Sequence, residues 1–214
     1  MRLTILFLMI SLSGVSCAQK NKNANSIPLG IHEKTAAPEA VATFAEGCFW
    51  HTEIVFQSLQ GVRDAVSGYA GGSLRNPNYS TVSDGNTGYA ESVNVYYNPG
   101  IISFETLVKA FFASHDPTQV NRQGPDVGTQ YRSIVFYRNE KEKEIIQQEL
   151  NRIKQSGKYN LPIATEVKPF SSFYPAESYH QEYIYNHADN PYVQHVSIPD
   201  YLRFRKEFKG KFKD

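Results

Sequence analysis

The feature that most constrains the fold is an alternation of short apolar segments with longer amphipathic ones, which begins at Val41. Short apolar or alternating runs predict strands, and longer amphipathic runs predict helices. Strands are expected at residues 41–46, 62–69, 92–97, 132–137 and 164–167, and helices at 48–59, 103–114 and 140–153. This order predicts an α/β fold, an α+β two-layer sandwich with a ferredoxin-like core, a mixed sheet, helices on one side and long functional loops.

Two stretches, residues 76–89 and 115–130, do not fit this alternation. Both contain Gly, Pro, Asn and Asp together with side chains capable of chemistry. Long irregular loops in a compact domain are often functional. We therefore expect functional residues on these two loops.

The charge balance gives no indication of nucleic-acid binding, because the formal net charge is only +1. A group of basic residues near the C-terminus could bind an anionic lipid or an acidic partner, but a solvated helix face is the preferred interpretation. These residues are Arg203, Arg205, Lys206, Lys209, Lys211 and Lys213. We expect a monomer.

Residues 1–17 predict export. Met1 and Arg2 precede an apolar run and then small residues, as in a secretory signal peptide. The run is shorter than the roughly 20 apolar residues of a transmembrane helix. Residues 14–17 also resemble a bacterial lipobox, in which Cys17 would be acylated, while a plain cleaved signal that discards Cys17 is the alternative.

Residues 18–39 are polar and rich in Lys, Asn and Pro, which predicts a disordered linker. We expect residues 40–214 to form one folded domain. The expected location is exported and periplasmic, with a membrane anchor if Cys17 carries lipid.

Cys48 is the candidate nucleophile. It lies between a predicted strand and a predicted helix, in the segment Gly47-Cys48-Phe49-Trp50. A thiol at a helix N-terminus meets the positive end of the helix dipole, which favours the thiolate. Phe49 and Trp50 suggest a pocket for an apolar, methyl-sized group. A buried structural cysteine is the alternative interpretation.

Glu91 opens a predicted strand among aromatic residues. A carboxyl in such surroundings should have a raised pKa and could act as a proton donor, although a solvated edge charge is the alternative. Tyr79 and Tyr131 lie in or beside the irregular stretches, and their hydroxyls could hold a polar oxygen. Since the chain has 14 tyrosines, either of them could instead be a packing residue.

Other sites are less well supported. His115, Asp116 and His180 would allow a Cys-His hydrolase, but no oxyanion-loop signature lies beside Cys48. One cysteine with scattered histidines gives no ligand pair at zinc spacing, so no metal site is expected.

Several motifs occur in series between residues 43 and 183. They are Gly47-Cys48-Phe49-Trp50 with Glu53, Gly68-Tyr69 with Gly71-Gly72, Tyr79 before Gly88-Tyr89-Ala90-Glu91, His115-Asp116-Pro117-Thr118-Gln119, Arg122-Gln123-Gly124 with Asp126, Gly128-Thr129-Gln130-Tyr131-Arg132-Ser133, and Ala176-Glu177 with Tyr179-His180-Gln181. In kind and order they resemble peptide methionine sulfoxide reductase A. The resemblance covers nearly the whole of the predicted folded part.

The resemblance implies reduction of methionine sulfoxide, free or in proteins, at the S epimer. It implies that Cys48 attacks the sulfoxide sulfur while Glu91 protonates the sulfoxide oxygen. Methionine then leaves, and Cys48 becomes a sulfenic acid. No bound cofactor is implied.

The resemblance also implies which residues form the substrate pocket. Tyr79 and Tyr131 would bind the sulfoxide oxygen, and Phe49 and Trp50 would receive the ε-methyl group. Asp126 would order the polar side of the pocket.

The sequence departs from the common family pattern at two places. Tyr89 stands where a histidine often lies, with little expected effect on the proton donor. Residues 201–214 contain no cysteine, whereas many relatives carry resolving cysteines near the C-terminus. Cys17 could reach the site through a flexible linker, but acylation or cleavage would remove it.

We therefore expect a one-cysteine enzyme whose sulfenic acid is reduced by an external thiol or a thioredoxin-like partner, and which repairs oxidised methionine in exported proteins. A thiol peroxidase and a non-catalytic sulfoxide-binding module are the competing interpretations.

Overall fold

The structure is a computed structural model that describes residues 38–214. The predicted signal peptide or lipobox, and linker residues 18–37, lie outside the described residues. Within 38–214 the strands are β1 (Ala40–Glu46), β2 (Val62–Ala70), β3 (Ala90–Tyr97), β4 (Arg122–Gln123), β5 (Asp126–Val127), β6 (Ser133–Tyr137), β7 (Glu166–Pro169) and β8 (Phe173–Pro175). The α-helices of the same residues are α1 (Phe49–Gln57), α2 (Tyr79–Ser83), α3 (Phe104–Ser114), α4 (Glu140–Gln155), α5 (Tyr183–Asn186) and α6 (Ile198–Glu207).

Six strands form one mixed sheet in the order β7-β6-β1-β3-β2-β8. Only the β6–β7 pair is parallel, and the other neighbours are antiparallel. The succession β1-α1-β2-β3-α3-β6 gives the ferredoxin-like core that the sequence predicts, with β7 and β8 added at the edges. Strands β4 and β5 form a separate hairpin. The α/β prediction is confirmed.

The larger hydrophobic core lies between one face of the sheet and the helices. Phe44 of β1 is fully buried there, and its ring centroid lies 4.7 Å from that of Phe56 in α1 and 5.5 Å from that of Phe111 in α3. The opposite face buries a smaller cluster that includes Phe136, which Phe170 and Phe173 cover. Full burial of such large apolar side chains is the main favourable contribution to folding.

The structure corrects the expectation that residues 76–89 and 115–130 are irregular throughout. The first stretch contains α2, whose N-terminus is fixed by a capping box between Asn78 and Thr81. The second contains the β4–β5 hairpin and a 3₁₀ turn at Thr129–Tyr131. Strand β8 is absent from the predicted strands, because its three residues are too few to show the alternation typical of a strand.

The interpretation of the basic tail as a solvated helix face also needs correction. Helix α6 ends at Glu207, so three of the six basic residues follow the helix. The amine of Lys213 is buried, and burial lowers its pKa. Within residues 38–214, the helices are all too short or too polar to span a bilayer.

Candidate active site

Cys48 lies where β1 turns into α1. Gly47 has a φ of 108°, and a Cβ atom added there would lie 2.6 Å from the Cβ of Gln123. Only glycine meets both demands without strain. Cys48 is the N-cap of α1, so its sulfur lies close to the backbone amides of Trp50 and His51. The predicted strand, turn and helix start are therefore present.

The expectation that this position favours a thiolate in the free protein was wrong. Cys48 is only partly exposed, and the surrounding protein desolvates its sulfur. Burial raises the pKa of Cys48 well above its ordinary value, and the carboxyls of Glu91 and Asp126 raise it further. The two helix amides act in the opposite direction, but their effect is smaller. The free protein thus holds Cys48 as a thiol near neutral pH.

Glu91 is the second residue of β3 and is 2% exposed. Its Oε2 accepts a hydrogen bond of 3.0 Å from the backbone N–H of Phe49, the first residue of α1. Burial raises the pKa of Glu91 to about 8, and nearby Asp126 contributes in the same direction. The carboxyl next to Cys48 is therefore largely protonated at neutral pH.

Tyr79 and Tyr131 lie near Cys48 and Glu91, although they belong to different segments of the chain. Tyr79 begins α2 and Tyr131 ends the 3₁₀ turn before β6. Burial raises the pKa of both phenols, and the charges of Glu91 and Cys48 act on each of them. Both hydroxyls therefore stay protonated and can donate hydrogen bonds beside the thiol.

Asp126 also reaches the site, and its partner is a residue that the sequence analysis missed. Tyr192 donates a hydrogen bond of 2.5 Å to Oδ2 of Asp126, and its phenol also lies close enough to Cys48 for the two groups to interact electrostatically. Burial raises the pKa of Asp126, and this hydrogen bond opposes the rise. No local motif distinguishes Tyr192 from the other tyrosines, because a contact between positions 66 residues apart leaves no short-range signal.

An aromatic wall borders the thiol. Phe49 is 1% exposed, and its ring centroid lies 6.4 Å from that of Trp50. The indole of Trp50 lies parallel to Tyr183 at 3.7 Å and meets Tyr192 edge-on at 6.1 Å. Phe49 and Trp50 are thus placed together, as the sequence predicts, while Tyr183 and Tyr192 complete a wall that the sequence analysis did not include.

The histidines do not form a Cys-His hydrolase site. His180 accepts a hydrogen bond of 3.1 Å from the indole N–H of Trp50. The two ring nitrogens of His115 bond to the Phe111 carbonyl and the Ser133 hydroxyl, and Asp116 accepts from Thr118. Each candidate base is therefore engaged with a group other than Cys48.

The geometry suits one kind of guest. A thiol, a protonated carboxyl and two phenol donors lie near one another beside a group of aromatic rings. Such a site can hold a polar oxygen on one side and a small apolar group on the other. In the part of the chain that the structure describes, no group of three or more His, Cys, Asp or Glu side chains is arranged to bind a metal ion.

Comparisons with known proteins agree with this chemistry. A family model described as peptide methionine sulfoxide reductase matches residues 40–212. The chain is 44% identical to the peptide methionine sulfoxide reductase MsrA 1 of Rhodopirellula baltica, over 86% of this chain and 94% of that protein. It is 45% identical to the MsrA of Thermus thermophilus, over 81% and 97% of the two chains. The reduced form of Mxr1 from Saccharomyces cerevisiae superposes with a TM-score of 0.65 and 37% identity, over 74% of this chain and 91% of that one.

Proposed function

The chain belongs to the peptide methionine sulfoxide reductase family and is a peptide-methionine (S)-S-oxide reductase, and we propose that Cys48 is its nucleophile and Glu91 its proton donor. One observation carries this assignment. The buried carboxyl of Glu91, with its pKa at about 8, bonds to the first amide of the helix that Cys48 caps. A neutral acid and the attacking sulfur are therefore held side by side.

A sulfoxide is a weak electrophile until its oxygen gains a proton. In the proposed step, the Cys48 sulfur attacks the sulfoxide sulfur while Glu91 gives a proton to the oxygen. The sulfur–oxygen bond of the substrate breaks, a sulfur–oxygen bond forms on Cys48, and methionine leaves. The Cys48 thiol gives its proton to solvent before the attack, and the Glu91 carboxylate takes one back from solvent afterwards, so the net products are Cys48 sulfenic acid and methionine, with atoms and electrons in balance.

The rest of the site orients the substrate. Tyr79 and Tyr131 donate hydrogen bonds to the sulfoxide oxygen, whose negative charge decreases as Glu91 protonates it. Phe49 and Trp50 surround the ε-methyl group. Asp126, held by Tyr192, orders the polar side of the pocket.

Recycling requires a second thiol. Cys48 is the only cysteine in residues 38–214, so we infer that an external thiol or a thioredoxin-like protein reduces the sulfenic acid through a mixed disulfide. Exposing the mature enzyme to substrate without a reductant should leave a sulfenic acid. An intramolecular disulfide would contradict this inference.

We also propose that the enzyme is exported and acts on exported proteins, because residues 1–17 have the composition of a signal peptide or lipobox. Mass spectrometry of the mature N-terminus tests this proposal. A chain that begins at acylated Cys17 or beyond it supports export, and a chain that keeps Met1 contradicts it.

The catalytic assignment is tested by comparing the wild type with Cys48→Ser on the two epimers of methionine sulfoxide and on hydrogen peroxide. The wild type should reduce the S epimer, and the variant should reduce neither epimer. Equal consumption of sulfoxide by both proteins would exclude Cys48 as the nucleophile. Peroxide consumption without sulfoxide reduction would instead indicate a thiol peroxidase.

A further inference from the structure

The indole of Trp50 is held by two contacts from a distant segment. Its N–H donates to Nδ1 of His180, and its face lies 3.7 Å from the ring of Tyr183, with only 6° between the planes. Both partners belong to residues 178–183, which follow β8. The orientation of Trp50 therefore depends on how this segment is fixed.

The segment contains a strained residue. Glu182 has a φ of 52° and a ψ of 31°, the left-handed conformation, between a 3₁₀ turn at Ser178–His180 and helix α5. Residues with a Cβ atom avoid this conformation, so surrounding contacts must stabilise it. A relaxed backbone at Glu182 would move His180 and Tyr183 relative to each other and to Trp50.

Glu53 supplies a contact of this kind. It lies one turn after Trp50 in α1 and is 2% exposed. Its Oε1 accepts from the backbone N–H of Glu182 at 2.5 Å and from the side-chain amide of Gln57 at 3.3 Å, and its Oε2 accepts from the hydroxyl of Ser67. The carboxyl thus ties α1 directly to the strained residue.

A second attachment lies next to the first. The side-chain amide of Gln181 bonds to both the N–H and the C=O of Ser67 in β2, each at 3.0 Å. Loss of the Glu53 carboxyl would leave this attachment in place. The segment should then stay near the sheet while the turn at Glu182 relaxes.

Glu53 has the environment of a functional carboxyl without contact to the reacting groups. Burial raises the pKa of Glu53 to about 8, against the lowering effects of its bonds from Ser67 and Glu182. Burying a carboxyl at such a site costs free energy. The Glu53 carboxyl contacts the segment that holds Trp50, so that segment is what it can influence.

We propose that Glu53 is a positioning residue of the methyl pocket, which stabilises the left-handed turn at Glu182 and so fixes His180 and Tyr183 against Trp50. The proposal rests on the proposed function in one respect, that Trp50 borders the substrate methyl group. Glu53 acts through these residues and takes no part in proton transfer.

The single tryptophan of the chain makes the proposal measurable, because fluorescence excited at wavelengths where tyrosine does not absorb reports on Trp50 alone. In Glu53→Ala, the emission of Trp50 should shift to longer wavelength and acrylamide should quench it more strongly. KM for methionine sulfoxide should rise about tenfold or more, since small displacements of positioning groups are costly. The dependence of the rate on reductant concentration should stay unchanged.

Two variants serve as controls. Glu53→Gln keeps an oxygen that accepts from the N–H of Glu182, so its emission and KM should stay near those of the wild type. Glu149→Gln alters another buried carboxyl, 4% exposed on α4 and bonded to Arg152, and should change neither quantity.

A rescue experiment tests the route of action and covers the case in which Glu53→Ala folds poorly. Glycine adopts the left-handed conformation readily, so Glu182→Gly in the Glu53→Ala background should restore Trp50 emission and lower KM towards the wild type. Absence of rescue would overturn the proposal, as would unchanged emission and KM in Glu53→Ala. A kcat loss in Glu53→Gln with normal emission would also overturn it, because that result assigns Glu53 a proton-transfer role. The fluorescence readout needs no turnover, so a failure of the proposed function would be seen separately in the activity of the wild type.

Discussion

At the scale of single residues, the proposed mechanism depends on how protons are distributed between Glu91 and Cys48. Burial raises the pKa of both groups, that of Glu91 to about 8 and that of Cys48 well above its ordinary value. Below pH 8 both are protonated, and the pair must lose one proton before a sulfur anion faces a neutral acid. Because the two groups interact, the protons belong to the pair rather than to either residue.

A pH profile follows from this distribution. We expect kcat/KM of the wild type to rise as the pH increases towards about 8 and to fall again above the pKa of the thiol. In Glu91→Gln, kcat/KM should drop by about 10²–10⁴ and lose the inflection near pH 8. Asp84→Asn, an exposed change at the end of α2, is the control. A Glu91→Gln enzyme that keeps the wild-type rate and profile would show that another group delivers the proton.

A second prediction at the scale of single residues concerns Tyr192. Its hydroxyl donates a hydrogen bond to Asp126 beside Cys48, so in Tyr192→Phe the Asp126 carboxylate loses this bond and its negative charge acts more strongly on the thiol. We expect a loss of about 1.5–3 kcal/mol, or about 10- to 150-fold in kcat/KM, as for hydrogen bonds to charged groups. Steady-state kinetics measures this loss. The half-exposed Tyr185, changed to Phe, is the control, and equal activity of the two variants would remove Tyr192 from the site.

At the scale of elements, the turn between β1 and α1 determines where the thiol lies. Gly47 combines a left-handed φ with close contact to the side chain of Gln123. Gly157, after α4, has a φ of 65° with no atom within 4 Å of a built Cβ. Substitutions at the two glycines therefore distinguish the cost of a left-handed backbone, which both share, from the cost of overlap with Gln123, which only Gly47 has.

Alanine at each glycine should give different results. Gly157→Ala should lower the free energy of unfolding by about 1–2 kcal/mol and leave activity unchanged. Gly47→Ala should lower it by more and should also reduce kcat, because the overlap with Gln123 displaces Cys48. Urea unfolding and initial rates measure both effects. Equal costs and full activity in both variants would contradict the assigned role of the Gly47 turn.

Elements with a strong local pattern could be predicted from the sequence. The apolar run of β1 indicates a strand from the sequence alone, whereas α1 is buried on nearly every side rather than amphipathic. Ser103 caps α3 by accepting a hydrogen bond from the backbone N–H of Thr106. This part of the fold brings Cys48, Phe49 and Trp50 together.

The rest of the site depends on contacts between distant positions. His180 meets Trp50 across 130 residues and Glu182 meets Glu53 across 129. No periodicity or turn signal encodes such pairings. The helix dipole at Cys48 was visible in the sequence, but the surrounding desolvation that outweighs it depends on the completed packing.

At the scale of the whole molecule, buried ionisable groups should make stability depend on pH. Burial raises the pKa of Glu53 and of Glu91 from 4.5 to about 8, so the folded state binds more protons than the unfolded state between these pH values. Stability must then fall as the pH rises through this window. Burial lowers the pKa of His115 from 6.5 to about 4, which acts in the opposite direction only below pH 6.5.

The clearest window is therefore pH 6.5 to 8. There the free energy of unfolding should fall by up to about 4 kcal/mol as the pH rises, since each carboxyl contributes about 1.4 kcal/mol per pH unit. Urea unfolding at several pH values measures this slope, and Glu53→Gln or Glu91→Gln should each reduce it. A stability that rises between pH 6.5 and 8 would show that these carboxyls are not held neutral by burial.

The most direct test of the central claim, that the Cys48 sulfur takes the oxygen from the sulfoxide, is a single turnover without reductant. Mature enzyme is mixed with excess methionine S-sulfoxide, methionine is quantified, and the protein is trapped with dimedone and analysed by mass spectrometry. We predict one methionine per enzyme and one dimedone adduct, located on Cys48. Methionine formation without a modified Cys48, or no methionine at all, would contradict the account.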